Sequence, residues 1–269
     1  MKTIGFIGGG NMAQALIEGV LKAGLYKPEN VWVSDVRPER LDELKAQYGV
    51  QVILDNRELA ALSDIIVLSV KPQVMADVLG GIAGKLKKGV LVISIAAGIT
   101  SGAIRSKLGD VQTIRVMPNT PALVGAGAGG LYNASASKEN LNTALDILNS
   151  VGRSVVVENE DLMDAVTAVS GSGPAYFFLL MEEMIKAGVE LGLTEEAVKT
   201  LVLQTAKGAA FLAESAQQRG EDPAILRQKV TSPGGTTEAA LKVFAEKGIS
   251  KIVKEALTAA RDRGRELSG

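Results

Sequence analysis

The segment Gly8-Gly9-Gly10-Asn11-Met12-Ala13 limits the possible folds of this chain more than any other. It follows a short β-like run at residues 3–7. A helical pattern comes after it at residues 11–23, with Met12, Leu16, Val20 and Ala23 at helical spacing. A G-x-G-x-x-A pattern between a strand and a helix has a specific physical use. Gly8 permits the tight turn, Gly10 leaves room for an anion at the backbone, and Ala13 lets the helix pack closely on the strand. The unpaired N–H groups of the helix start, with its positive dipole end, then hold a pyrophosphate. The pattern therefore predicts a dinucleotide site. A glycine turn with no ligand is the blander alternative.

The rest of the first half repeats the same alternation. Strand-like runs recur at residues 31–35, 50–53, 65–70, 90–96 and 113–117, with a last one at 154–158, and residues 38–48 read as a second helix. Ile65, Ile66, Val67 and Leu68 are apolar on both faces, which suits a parallel sheet covered by helices on both sides. After Asn159 the strand signal all but disappears. The expected fold is α/β: an N-terminal doubly wound, Rossmann-type, mostly parallel sheet at residues 1–160, then a smaller all-α domain at residues 161–269. In that second domain, residues 176–185 are apolar nearly all round apart from Glu182 and Glu183. Such a helix must be buried, either inside its own domain or against a partner subunit. The last helix carries one apolar stripe, Ile249, Ile252, Val253, Ala256, Leu257 and Ala260.

Composition narrows the chemistry. The chain has 269 residues with no Cys and no His. Disulfides, thiolate nucleophiles and thiolate metal sites are excluded, and so are the commonest general acid and metal ligand. No metal site is expected. Lactate-type dehydrogenases and serine-type hydrolases, which lean on histidine, drop out. Lys plus Arg total 29 against 30 for Asp plus Glu, a net charge of -1, and no basic run invites nucleic acid. No leader-like segment is recognised, and the longest apolar stretch is too short for a bilayer. A cytoplasmic protein with no membrane partner is the expectation.

The second strand ends Val33-Ser34-Asp35-Val36-Arg37. An acidic residue here usually bonds the ribose 2′-hydroxyl of NAD, and a nearby Arg accommodates a 2′-phosphate; this chain has both. A solvated loop with Arg37 paired to Glu39 is the reading without a ligand. Later strand ends carry Ser69-Val70-Lys71-Pro72, Ala96-Ala97-Gly98 and Met117-Pro118-Asn119, where ligands of open α/β sheets sit. The candidate cofactor contacts are thus Gly8, Gly10, Asn11, Met12, Ser34, Asp35, Arg37, Asn56, Ser69, Val70, Lys71, Pro72, Ala96, Ala97, Gly98 and Asn119.

The second dense segment is Val230-Thr231-Ser232-Pro233-Gly234-Gly235-Thr236-Thr237-Glu238. A Gly-rich turn opening a helix gathers several backbone N–H groups in a small volume, which suits a carboxylate or phosphate. Ser232, Thr236 and Thr237 add hydroxyls. A simple N-cap needs only one, so an anion site at Ser232, Gly234, Gly235, Thr236 and Thr237 is the favoured reading.

The blocks from Val230 to Leu241, Gly5 to Ala13, Val70 to Pro72, Ala96 to Gly98 and Arg115 to Thr120, with Ser170-Gly171-Ser172-Gly173-Pro174-Ala175-Tyr176, resemble those of pyrroline-5-carboxylate reductases. The resemblance implies a dinucleotide-binding domain followed by a helical dimerisation domain. It implies reduction of 1-pyrroline-5-carboxylate to L-proline, the last step of proline synthesis, usually with NADPH, with NADH possible. It implies that Ser232 and the N–H groups of Thr236 and Thr237 hold the substrate carboxylate, and that the catalytic candidate Thr237 meets the ring nitrogen with its hydroxyl. It also implies a homo-oligomer, a dimer or a larger ring of dimers. Asp35 departs from the small polar or basic residues of NADPH-preferring members. Two alternatives stay open: a β-hydroxyacid dehydrogenase, which typically places a Lys shortly after the Gly-rich turn where this chain has none until Lys186, and a nicotinamide-binding regulator without turnover.

Overall fold

The computed structural model describes residues 2–268. In chain order the elements are β1 (Ile4–Ile7), α1 (Asn11–Lys22), β2 (Val31–Ser34), α2 (Pro38–Tyr48), β3 (Gln51–Ile53), α3 (Asn56–Leu62), β4 (Ile65–Leu68), α4 (Met75–Ile82), β5 (Leu91–Ser94), α5 (Ser101–Leu108), β6 (Gln112–Met117), β7 (Gly127–Asn133), α6 (Lys138–Asn149) and β8 (Gly152–Val157). Helices follow: α7 (Leu162–Val166), α8 (Gly173–Glu190), α9 (Glu195–Gln217), α10 (Pro223–Lys229), α11 (Thr236–Glu246) and α12 (Ile249–Ser268). The backbone forms two compact units. One runs to Pro174 and takes in the end of α12 from Thr258 onward; the other is Ala175–Leu257.

In the first unit the strands form one sheet in the order β3-β2-β1-β4-β5-β6-β7-β8. All pairings are parallel except β6 with β7. The order reverses between β1 and β4, which makes their carboxyl ends the switch point where such sheets bind ligands. Strand residues alternate between two cores. Ile4, Phe6, Ile65 and Val67 join the helices α1, α2 and α6 on one face. Ile7, Ile66 and Leu68 join α3, α4 and α5 on the other. Both faces of the inner strands are dry, so the run Ile65–Leu68 contains no polar residue.

The sequence pattern misses β7. Its residues, Gly-Ala-Gly-Gly-Leu-Tyr-Asn, read as a glycine-rich loop with little strand preference. The structure explains the glycine at position 130: a Cβ there would lie 2.7 Å from the methyls of Val166 in α7. Close packing, not propensity, makes this strand. β8 also begins earlier than the predicted 154–158, at Gly152.

The second unit is helical. Phe177, Phe178, Leu179 and Leu180 of α8 are 49–65% exposed. An internal core helix would have these side chains buried; among the described residues they are not, so the structure does not bear out the internal-core alternative. Between α7 and α8 the chain widens into a π turn at Thr167–Gly171, with Ser172 N–H bonded to the Thr167 carbonyl. No described helix is long and apolar enough to cross a membrane.

Candidate active site

A cleft of about 510 Å³ opens at the switch point. Gly8, Gly10, Ser34, Asp35, Arg37, Asn56, Ser69, Val70 and Lys71 line it, all from the ends of four adjacent strands. Asn11 and Met12 open α1 beside it, and Pro72 starts the turn after Lys71. Gly8 has φ +100, and a Cβ would lie 2.7 Å from the Ser69 carbonyl oxygen. Only glycine fits there. At Gly10 the space a Cβ would fill is open. Gly10 also caps α1 without any side-chain bond. The first N–H groups of the helix thus face open space, the arrangement an anion needs.

The turn itself is held rigid. Gly9 donates its N–H to Asp35 Oδ2 at 2.9 Å and accepts from Arg40 Nε at 2.7 Å. Asp35 Oδ1 accepts from Arg37 N–H at 3.0 Å and Arg37 Nε at 3.1 Å, and Oδ2 has a longer contact to Arg37 Nη2 at 3.4 Å. The partner of Arg37 is Asp35 itself, not Glu39. Burial pushes the Asp35 carboxyl up, but the Arg37 guanidinium and the two N–H donors outweigh it and hold it below the usual range. Nearby, Ser34 donates its hydroxyl to Asn56 Oδ1 at 2.7 Å, leaving the Asn56 NH₂ as a donor toward the cleft. Ser69 donates to the carbonyls of Ile7 and Gly8, which fixes the strand ends on either side of the switch point.

Further along the sheet, Ala96, Ala97 and Gly98 follow β5, and Asn119 follows β6. These four are not among the residues lining the cleft. Asn119 is buried and its amide is engaged at both ends: Nδ2 donates to the Ser170 carbonyl at 3.0 Å and Oδ1 accepts from Ala128 N–H at 2.8 Å. It ties the loop after β6 to the π turn.

In the second unit, Gly234 has φ +72 and turns the chain into α11, which Gly235 caps without a side-chain bond. Gly235 N–H donates to the Ser232 carbonyl at 3.0 Å, and Gly234 N–H to Glu238 Oε2 at 2.7 Å. Those two donors are used within the turn. The N–H groups of Thr236 and Thr237 have no helical partner. Among the described residues, no hydrogen bond engages the hydroxyls of Ser232, Thr236 or Thr237. Ser232 and Thr236 are exposed, and Thr237 is half-buried.

Comparison with known proteins decides the family. Residues 160–267 match the family described as pyrroline-5-carboxylate reductase dimerisation, and residues 3–98 match that of NADP oxidoreductase, coenzyme F420-dependent. The pyrroline-5-carboxylate reductase of Pseudomonas aeruginosa is 46% identical over 98% of this chain and 96% of its own length. The chain belongs to the pyrroline-5-carboxylate reductase family. A solved reductase from Coxiella burnetii superposes with a TM-score of 0.94 at 41% identity, covering 100% of this chain and 99% of its own. The Plasmodium falciparum pyrroline carboxylate reductase, solved with NADP bound, superposes at 0.87 with 33% identity, covering 100% of this chain and 98% of its own.

For a member of the pyrroline-5-carboxylate reductase family, sequence reasoning overlooked several residues. Arg40 braces Gly9, but on a helix it reads as an ordinary surface charge. Val74 and Val78 supply an apolar wall to the cleft; their i, i+4 spacing just after the Lys71 loop was the available signal. Glu160 reaches both Ser101 and Arg115, and no local pattern marks it.

Proposed function

We propose that this chain reduces 1-pyrroline-5-carboxylate to L-proline, with NADPH as cofactor and NADH as a possible substitute, in the cytoplasm. It is an NAD(P)H-dependent oxidoreductase of the proline-forming type, and its helical segment serves homo-oligomer formation, as a dimer or a ring of dimers. The observation that carries the substrate assignment is the start of α11: two unpaired helix N–H groups beside three uncommitted hydroxyls, in a chain that matches pyrroline-5-carboxylate reductases over its full length.

In this reading the residues divide the work. Gly8, Gly10, Asn11 and Met12 receive the pyrophosphate. Ser34, Asp35, Arg37 and Asn56 surround the adenosine ribose. Ser69, Val70, Lys71, Pro72, Ala96, Ala97, Gly98 and the Asn119 backbone form the nicotinamide side. The bound cofactor supplies the hydride for the carbon of the C=N bond. Ser232, in the turn shaped by Gly234 and Gly235, and the N–H groups of Thr236 and Thr237 hold the substrate carboxylate by charge-assisted bonds. The Thr237 hydroxyl orients the ring nitrogen.

No strong acid is required. A cyclic imine takes a proton from water near neutral pH, and a threonine hydroxyl is a poor proton donor. The protein's task is alignment, with reacting atoms about 3–3.5 Å apart, and exclusion of water. The β-hydroxyacid alternative needs a free lysine after the Gly-rich turn. Lys186 is bonded instead to Glu182 at 2.7 Å and Glu183 at 2.8 Å, which hold its ammonium firmly charged.

Purified protein should consume NADPH when 1-pyrroline-5-carboxylate is the sole added substrate. Binding of NADPH without turnover of this imine or of its six-membered homologue would overturn the assignment and favour a regulator.

A further inference from the structure

Ser101, the first residue of α5, is held by a residue 59 positions away. Glu160 follows β8. One of its carboxylate oxygens accepts the Ser101 N–H at 2.6 Å, and the other accepts the Ser101 hydroxyl at 2.6 Å. Arg115 of β6 donates Nη1 to the same carboxylate at 2.7 Å. Ser101 and Arg115 are buried. Ordinary helix capping does not explain this grip, because Thr100 already caps α5 by accepting from Ala103 N–H at 3.1 Å. Burial pushes the Glu160 carboxyl up; the two Ser101 donors and the Arg115 guanidinium outweigh it and keep it ionised.

The grip bears on the loop between β5 and α5. At the strand end, Ile95 N–H is bonded to the Leu68 carbonyl at 3.1 Å. In the middle, Gly98 is left-handed at φ +72, and a Cβ there would lie 2.9 Å from the Leu267 carbonyl oxygen of α12. Glu160 closes the far end through Ser101. The backbone of Ala96, Ala97 and Gly98 is thus held at both ends and packs against Leu267 at Gly98. The loop leaves the strand next to β4, on the side of the switch point opposite Asp35.

We propose that Glu160 is a positioning residue for hydride transfer: through Ser101 it fixes the Ala96-Ala97-Gly98 loop against which the nicotinamide end of the cofactor rests. This rests on the reductase reading above. Glu160 touches neither cofactor nor substrate; it acts through the loop. A loop that drifts would leave the cofactor bound by its pyrophosphate and adenosine ends but out of line for transfer.

Two variants test this. Ser101→Ala removes one hydrogen bond and leaves the Glu160–Arg115 ion pair intact, so the fold is retained. Glu160→Gln keeps the volume and removes the charge. In the cofactor-free protein, amide hydrogen exchange over residues 95–101 should quicken about tenfold in Ser101→Ala, as one lost hydrogen bond allows, with the rest of the sheet unchanged. In turnover, kcat should fall about tenfold while the KM for NADPH moves little, because alignment and not binding is lost. The isotope effect on kcat with 4-deuterated NADPH should rise as hydride transfer becomes limiting. Glu160→Gln should exceed Ser101→Ala in each measure. A lowered Tm with loop exchange, kcat and isotope effect all unchanged would overturn the proposal. If the parent protein itself fails to oxidise NADPH with the imino acid, the reductase reading falls and the proposal falls with it. If the parent turns over and both variants match it, only the role of Glu160 falls.

Discussion

Asp35 is a residue whose identity suggests one role and whose bonds suggest another. An acid at the end of β2 usually accepts from a ribose hydroxyl. Here its oxygens already accept from Gly9 N–H, Arg37 N–H and the Arg37 side chain, close to the four lone-pair sites a carboxylate offers. Two of those donors are backbone groups that stay in place when the Arg37 side chain moves. Arg37 itself is 61% exposed and can turn to a 2′-phosphate, while Asp35 stays clamped to the fingerprint turn. Arg37→Gln should therefore raise the NADPH KM by about 10- to 100-fold, the value of one or two charge-assisted bonds, and leave the NADH KM nearly unchanged. An unaltered NADPH-to-NADH ratio would show that Arg37 does not read the phosphate. Ser232→Ala should raise the KM for the imino acid more than it lowers kcat, since anchoring is the proposed role; a pure kcat loss would contradict it. Both residues were legible in the sequence as site candidates. The pairing of Arg37 with Asp35 rather than Glu39 was not, because spacing alone does not say which carboxylate the strand end turns toward the side chain.

At the scale of elements, the turn between β1 and α1 contains two glycines needed for different reasons. Gly8 is required by backbone conformation and by the Ser69 carbonyl 2.7 Å from its missing Cβ. Gly8→Ala should cost about 1–3 kcal/mol of stability as well as cofactor binding. Gly10 sits at φ -67 in open space, a position any residue can adopt. Gly10→Ala should change stability by less than about 1 kcal/mol yet weaken NADPH binding, because its methyl occupies the place of the pyrophosphate. Thermal unfolding and NADPH fluorescence titration separate the two; equal losses of stability would mean that Gly10 is needed by the backbone as Gly8 is, and not only by the ligand. The alternation of strands and helices was readable because burial on both faces writes unbroken apolar runs such as Ile65–Leu68. β7 was not readable, since its glycines answer to distant neighbours: Gly130 to Val166 of α7, 36 residues on, and Gly127 to Ala122 and the Val151 carbonyl.

At the scale of the whole molecule, three carboxylates join distant parts of the first unit: Asp35 to Gly9, Asp64 to Thr3 and Lys87, and Glu160 to Ser101 and Arg115. In each, burial raises the pKa, but hydrogen bonds and the neighbouring cation win and hold it below the ordinary value. A carboxylate depressed in the folded state adds stability above its unfolded pKa, near about 4, and loses it as pH falls through the folded value. Denaturant unfolding should show stability flat at neutral pH and falling below about pH 4–5. Glu160→Gln should flatten part of that fall; an acid limb identical to the parent's would remove Glu160 from the account.

The exposed helices carry the last consequence of the fold. Phe177, Phe178, Leu179 and Leu180 occupy four successive positions of α8 and sweep about 300° of its circumference, so a single internal neighbour could not cover them all. Leu201, Leu203, Phe211 and Leu212 of α9 are similarly bare. Apolar surface of this extent on a single chain marks a contact with another protein surface. In a chain of a family with a dimerisation segment at residues 160–267, a second copy is the natural cover. Each large side chain buried there contributes about 1.5–3 kcal/mol, and a two-fold axis places every substitution in the contact twice. Phe178→Asp puts an unpaired charge at such a place on both sides. Sedimentation velocity should then show the parent as a dimer or larger and Phe178→Asp as a monomer, with imine reduction lost alongside. Lys199→Ala, which removes only a solvent-exposed pair with Glu195, should leave the mass unchanged. A parent protein that sediments as a stable, soluble monomer would sink this reading, because α8 would then have to find its cover within the chain.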